Sequence, residues 1–151
     1  MHCGDRAILL IDMPPGTGDI AISVGQLLPH AEVLVVTTPQ AAAAEVAIRS
    51  GLVARQTGQR VIGVVENMGP LTLPDGTVVD LFGSGGGAAV AEALSETDEV
   101  PLLATIPLSP GLRAGGDAGA PIVLTDPTDA AATAIRDLAG ALTQRGRGLS
   151  G

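Results

Sequence analysis

The amino-acid sequence predicts an α/β fold, a three-layer sandwich with a mostly parallel central sheet. Short runs rich in Val, Ile and Leu alternate with Ala-rich stretches of helical length, the order that βαβ crossovers require. Apolar residues make up 46% of the 151, yet Phe82 is the single aromatic, so Leu, Ile, Val and Ala must build the core. That palette suits β-branched strands covered on both faces by small-residue helices. The apolar runs also close on short polar or proline-containing peptides: Asp12–Asp19, Thr37–Gln40, Glu66–Met68 and Ile106–Leu108. In open parallel sheets ligands bind at the carboxyl ends of the strands, so these exits are the places to look for function.

Taken in order, Ala7–Ile11 reads as a buried strand closing on Asp12. Gly16–Gly18 opens a helix over Asp19–Leu28, with Ile20, Val24, Leu27 and Leu28 on one face, and Pro29 ends it. Glu32–Thr37 is a second strand. Ala41–Gln56 is helical by composition, with Val46, Leu52 and Val53 as its larger core candidates and Gly58 as its cap. Arg60–Val65 is a third strand, followed by Glu66-Asn67-Met68. Leu71–Leu81 reads as a hairpin turning at Pro74-Asp75-Gly76. Gly83–Gly87 leads into a helix over Ala88–Leu94, and Leu102–Ile106 is a fourth strand ending at Pro107. A glycine-containing stretch and Ile122–Leu124 precede a last helix from Asp126-Pro127 to about Leu142. One domain over residues 1–143 and a disordered tail over 144–151 are expected.

The formal charge is −8, and all eight basic residues are arginines; there is no lysine. Such a chain lacks the basic footprint and the stacking aromatics that nucleic-acid binding uses, and anionic membrane is disfavoured for the same electrostatic reason. No apolar run approaches the ~18–20 residues that span a bilayer. Cys3 is the only cysteine, which excludes an internal disulfide. A cytoplasmic location is the expectation.

The first exit, Asp12-Met13-Pro14-Pro15-Gly16-Thr17-Gly18-Asp19, is the most informative stretch. A carboxylate closing a buried strand is costly without a cation or hydrogen-bond donors. In nucleotide hydrolases such an acid holds Mg²⁺ through water. Gly16, four residues on, stands where a backbone N–H can approach a terminal phosphate. A helix-capping turn, with Thr17 or Asp19 as the cap, explains the same residues. Gly16-Thr17-Gly18-Asp19-Ile20-Ala21 also matches the G-x-G-x-x-A dinucleotide fingerprint. Against that, Met13-Pro14-Pro15 separates strand from glycine, and the next strand ends in Val36-Thr37-Thr38 without an acid. The phosphate loop G-x-x-x-x-G-K-[ST] needs a lysine that this chain lacks, so weak or no nucleotide binding is expected from it alone. Gly83–Gly87 has N–H groups to offer an anion; a flexible hinge is the favoured reading.

Taken together, Asp12–Asp19, Val35-Val36-Thr37-Thr38-Pro39-Gln40, Val64-Val65-Glu66-Asn67-Met68, Phe82–Gly87 and Arg113-x-Gly115-Gly116-Asp117-x-Gly119 resemble the carboxyl-terminal half of the Mrp/ApbC iron–sulfur carriers, relatives of MinD with a deviant phosphate loop. The likeness runs from about Ala7 to Leu142. It implies a P-loop NTPase fold of the MinD (SIMIBI) type, incomplete at the amino terminus, and an ATP-binding cluster carrier that forms a homodimer when intact and delivers clusters to apoproteins. It further implies that Asp12 is the Mg²⁺-associated acid and Gly16 the switch glycine facing the γ-phosphate. Asn67 matches the residue pairing with adenine, while Pro107 and Leu108 match the backbone beside the base. An Asx turn is the other reading of Asn67.

Two departures stand out. The lysine-bearing half is absent, so ATP hydrolysis is not expected from this chain alone. The C-x-x-C that follows Asn-x-Met in many family members is also absent, its stretch here reading Leu71-Thr72-Leu73-Pro74-Asp75-Gly76. Thiolate ligation of a bridging cluster there is excluded, and one cysteine with His2 and His30 is not a metal-site pattern. Arg113 is expected to make a surface salt bridge. The rival functions are a non-enzymatic partner-binding module and, more weakly, a nicotinamide-binding oxidoreductase domain.

Overall fold

A computed structural model describes residues 8–14, 18–96 and 98–148. Its elements in chain order are α1 (Asp19–Leu27), β1 (Glu32–Thr37), α2 (Ala41–Gln56), β2 (Arg60–Gly69), β3 (Leu71–Thr72), β4 (Val78–Val79), α3 (Gly86–Leu94), β5 (Leu102–Pro107), α4 (Pro110–Ala118), α5 (Ile122–Thr125) and α6 (Ala130–Gly148). β1, β2 and β5 form a parallel sheet in the order β1-β2-β5, and β3 and β4 pair as an antiparallel hairpin. This is the α/β architecture that the alternating apolar runs predict.

One face of the sheet carries the main core. Val35, Val61 and Val64 from the strands meet Ala44, Ala47 and Ala54 of α2, and Val90, Ala91 and Leu94 of α3. The sequence points to Val46, Leu52 and Val53 as the larger contacts of α2, and the structure corrects this. Val46 and Leu52 are 45% and 41% exposed, while the buried stripe is Ala44, Ala47, Gly51 and Ala54. Small residues win because α3 packs close: a methyl on Gly51 would lie 2.7 Å from Leu94 Cδ1. Gly58, at φ 82°, follows α2 as expected, its N–H donating to the Arg55 carbonyl oxygen.

The opposite face is covered unevenly. α6 packs against β5, and Ala131 and Ala132 near its start are fully buried. Over β1, Val36 is 60% exposed. Parallel sheets normally bury both faces, so this corner is apolar surface without cover among the described residues.

Several expectations need revision. Residues 8–14 form no strand, and Ile8, Leu9, Leu10 and Ile11 are exposed. A strand needs a ladder to join, and among the described residues β1 is paired with β2 alone. The expected apolar face of α1 is also open: Ile20 and Leu27 are exposed, and Gly25 is the buried residue, set against Thr57 and Gln59. The glycine-containing stretch after β5 is the helix α4, with Ser109 capping its start by accepting the Leu112 N–H at 3.0 Å and Pro110 in its first turn. The last helix begins at Ala130, not Asp126, because Asp129 is its cap: Oδ1 accepts the Ala131 N–H at 2.7 Å. α6 runs to Gly148, so residues 144–148 are helical instead of a disordered tail. Arg113 makes the expected surface pair, with Asp117 at 3.5 Å.

Candidate functional site

The three strands run parallel, so their carboxyl ends share one edge of the sheet, and each leaves it differently. β1 exits through Thr37, Thr38 and Pro39. The Thr37 hydroxyl donates to the Thr38 carbonyl oxygen at 3.3 Å, and the Thr38 hydroxyl is buried without a hydrogen bond among the described residues.

β2 exits through a bulge. Glu66 pairs with Thr105 and Gly69 with Pro107, so β2 spends one more residue than β5 over this stretch. The excess is absorbed at Asn67–Met68, where Met68 takes φ 58°, a region that non-glycine residues seldom enter. Asn67 Oδ1 accepts the Met68 N–H at 2.9 Å and supports the turn. An Asx turn would bond the N–H two residues on, whereas Asn67 bonds the next one, so this contact is not an Asx turn. The Asn67 amide nitrogen makes no hydrogen bond to the described residues. Bulges at sheet rims re-aim a side chain in this way.

β5 leaves through Pro107 and Leu108, and the Leu108 N–H donates to the Gly69 carbonyl oxygen at 3.3 Å. A methyl on Gly69 would lie 2.6 Å from Thr105 Cγ2, so glycine permits this close approach. Asn67, Pro107 and Leu108 thus stand at one edge of the sheet.

The sequence places Glu66 at an exit but gives it no role. It is 5% exposed, and its Oε2 accepts the Gly87 N–H at 2.6 Å. The amino terminus of a helix favours negative charge, which offsets part of the cost of burying a carboxylate. The signal was in the sequence: an acid closes a run of five buried aliphatic or glycine positions, the same argument that singled out Asp12. This bond also revises the reading of Gly83–Gly87. Gly86 and Gly87 belong to α3 and act as close-packing positions, not as a hinge. A methyl on Gly86 would lie 2.7 Å from the Pro39 carbonyl, closer still to that of Thr38, and one on Gly87 would lie 2.7 Å from Glu66 Cβ. The protein's own carboxylate takes the Gly87 N–H that an outside anion would need.

Asp12 is exposed and outside any strand, so the structure does not place it among these exits. Gly16, with Cys3 and His2, lies outside the described residues. Among the described residues, no group of three or more His, Cys, Asp or Glu side chains is placed to hold a metal ion. The hairpin turn at Pro74-Asp75-Gly76 forms as expected, with Asp75 Oδ1 accepting the Thr77 N–H at 2.9 Å. That hydrogen bond, first among its causes, lowers the Asp75 carboxyl below its usual 3.8. A hollow of about 350 Å³ lies at the other end of β2, lined by Arg55, Gln59, Arg60 and Asp98. Its arginines serve the fold: Arg55 donates to the Leu94 carbonyl at the end of α3, and Arg60 pairs with Glu32 at 3.6 Å. No helix among the described residues is long and apolar enough to cross a membrane.

Comparison with known proteins gives these features a family. Residues 2–143 match the model of the ParA family described as NUBPL iron-transfer P-loop NTPase. An iron–sulfur cluster carrier protein of Mycobacterium bovis is 58% identical over all of this chain, which covers 40% of that protein. The cell division ATPase MinD of Pyrococcus furiosus has a similar structure, with TM-score 0.58 and 28% identity over 75% of this chain and 42% of that one. A nucleotide-binding protein of Archaeoglobus fulgidus, solved in complex with ADP, gives TM-score 0.58 and 33% identity over 71% of this chain and 43% of that one. The chain therefore spans about 40% of the length of the curated relatives it matches. With bulged exit, glycine-packed α3 and parallel sheet in place, the chain belongs to the ParA/NUBPL family of iron-transfer P-loop NTPases.

Proposed function

We propose that this chain supplies the base-binding side of an ATP site in an iron–sulfur cluster carrier of Mrp type. The observation that carries the reading is the convergence of Asn67, Pro107 and Leu108 at the carboxyl edge, the place where parallel sheets bind ligands. These residues suit the base: a side-chain amide and adjacent backbone read an adenine edge by hydrogen bonding and exclude water from its face. The Asn67 amide nitrogen, uncommitted to the described residues, is the group left to donate. The phosphate end fits less well. No lysine is present, and Asp12, proposed to bind Mg²⁺ through water, is exposed away from a strand. Mg²⁺ would supply charge neutralisation on the phosphates, and Asp12 would be the residue to hold it through water.

The cluster is cargo, and its ligands are not those of a C-x-x-C turn, since Leu71–Gly76 holds no cysteine. Transfer to apoprotein recipients, and a homodimer, belong to the same proposal. Joining a lysine-bearing phosphate loop to this chain is expected to restore Mg·ATP binding in isothermal titration. Asp12→Ala in that protein then abolishes Mg²⁺-dependent turnover, and undiminished turnover would remove Asp12 from its role.

A second reading, a non-enzymatic partner-binding module, draws on the open side of β1, where Val36 is 60% exposed and the edge is unpaired among the described residues. Light scattering after size exclusion tests this reading, because a monomer at high concentration argues against the module.

A further inference from the structure

We propose that Glu66 is the positioning residue of the base-binding exit, acting on Asn67 through the amino terminus of α3. The inference deepens the reading of an adenine site and rests on it. Residues 67–86 pass through the bulge, pair once more with β5 at Gly69, form the β3–β4 hairpin and return as α3. The bond from the Gly87 N–H to Glu66 Oε2, at 2.6 Å, closes the neck of that excursion. A hydrophobic residue would satisfy the packing at this 5% exposed position, yet the strand ends in a carboxylate. Its side chain lies where the partial positive charge of a helix terminus meets it.

The glycines make the contact possible. Without a methyl 2.7 Å from Glu66 Cβ and 2.9 Å from Leu102 Cδ1, Gly87 lets α3 approach β2 to hydrogen-bonding distance. Gly86 seats the same turn against Thr38 and Pro39 of the β1 exit. The start of α3 is thus wedged between two exits, and the Leu108–Gly69 hydrogen bond ties the third to them. Asn67 comes directly after the clamped residue and directly before Met68, whose left-handed backbone persists only where its surroundings over-determine it. The Glu66 clamp is that determining contact. Without it, the fraction of molecules presenting Asn67 in the binding geometry falls, and apparent affinity falls with it.

The test uses the isotopically labelled 151-residue chain, titrated with adenosine at millimolar concentration and followed by NMR at the Asn67 side-chain amide. In the native sequence that amide shifts saturably. Glu66→Ala keeps a dispersed spectrum and binds about tenfold more weakly, equivalent to ~1.4 kcal/mol. Glu66→Gln recovers most of the affinity, because its amide oxygen still accepts the Gly87 N–H. If Glu66→Ala does not fold, Glu66→Met, similar in volume but without an acceptor, takes its place beside Glu66→Gln. Equal affinity in the acceptor-less variant and the native chain overturns the positioning role and leaves the base site standing. No saturable shift at Asn67 in the native chain overturns the base site, and the positioning role with it.

Discussion

Replacing Gly86 by Ala tests whether the start of α3 is wedged as tightly as its geometry indicates. The new methyl would stand 2.7 Å from both the carbon and the oxygen of the Pro39 carbonyl, and closer still to the Thr38 carbonyl oxygen. Ordinary carbon–carbon contacts are about 3.5–4.0 Å, so relief needs a displacement of roughly 1 Å. Nothing nearby yields easily. The obstructing atoms are backbone, and the helix is held on its far side by Gly87 against Glu66 and by the fully buried Val90 and Leu94. Overpacking of this kind costs ~1–3 kcal/mol. The better helix propensity of Ala, at most about 1 kcal/mol, offsets part of it. A net loss of about 1–2 kcal/mol lowers the melting temperature by roughly 2–8 °C for a domain of this size. Gly140→Ala is the internal control: it sits within α6, its added methyl meets nothing within 4 Å, and it should gain about 1 kcal/mol. With neither Trp nor Tyr in the chain, urea unfolding is followed by far-ultraviolet circular dichroism. A Gly86→Ala protein as stable as the parent would refute the wedge, and a destabilised Gly140→Ala protein would refute the propensity correction.

Leu94→Ala, at a fully buried position, is expected to cost about 2–5 kcal/mol in the same urea assay, and a loss below 1 kcal/mol would mean the core collapses to fill the site. Asp129→Ala removes acceptors from both the Ala131 N–H and the Ser109 hydroxyl, so α4 and α6 lose support together. About 1 kcal/mol is expected, with faster amide exchange in the first turns of both helices. Asp75 has a folded-state pKa below its unfolded value, so its contribution to the hairpin is present above pH 3.8 and is lost as pH falls through the lowered value. An NMR titration of its carboxyl carbon should find the midpoint below 3.8; a midpoint at or above that figure would contradict the Thr77 hydrogen bond.

Much of the sheet was legible because its signals are local. Aliphatic runs mark β1, β2 and β5 to within a few residues, and Gly58 marks the end of α2 through its left-handed backbone. That the β2 and β5 exits share an edge is legible too, because parallel strands send their exits to one edge whatever lies between them. What failed depended on partners. The run Ala7–Ile11 has strand composition, but pairing comes from a neighbour, and residues 8–14 are unpaired among the described residues. The core face of α2 is not legible from side-chain volume, because close approach of α3 selects Ala44, Ala47, Gly51 and Ala54. α4 was hidden by Gly115 and Gly116, although Ser109-Pro110 is a cap and first-turn pair. For Glu66 the acid closing a buried run is visible in the sequence, but its partner is a backbone N–H at Gly87, which no side-chain pattern announces.

The open rim of β1 bears on how this protein behaves in concentrated solution. Among the described residues, Glu-Val-Leu-Val-Val-Thr has no partner on its outer side, and it carries neither Pro nor Lys to discourage a neighbour. Mutual repulsion from the net charge of −8 keeps molecules apart at neutral pH. Near the isoelectric point of about 4.4 that repulsion vanishes while the rim is unchanged. Turbidity should therefore rise steeply as samples are acidified toward that value, with intermolecular β-structure growing in the infrared amide band before the helices melt.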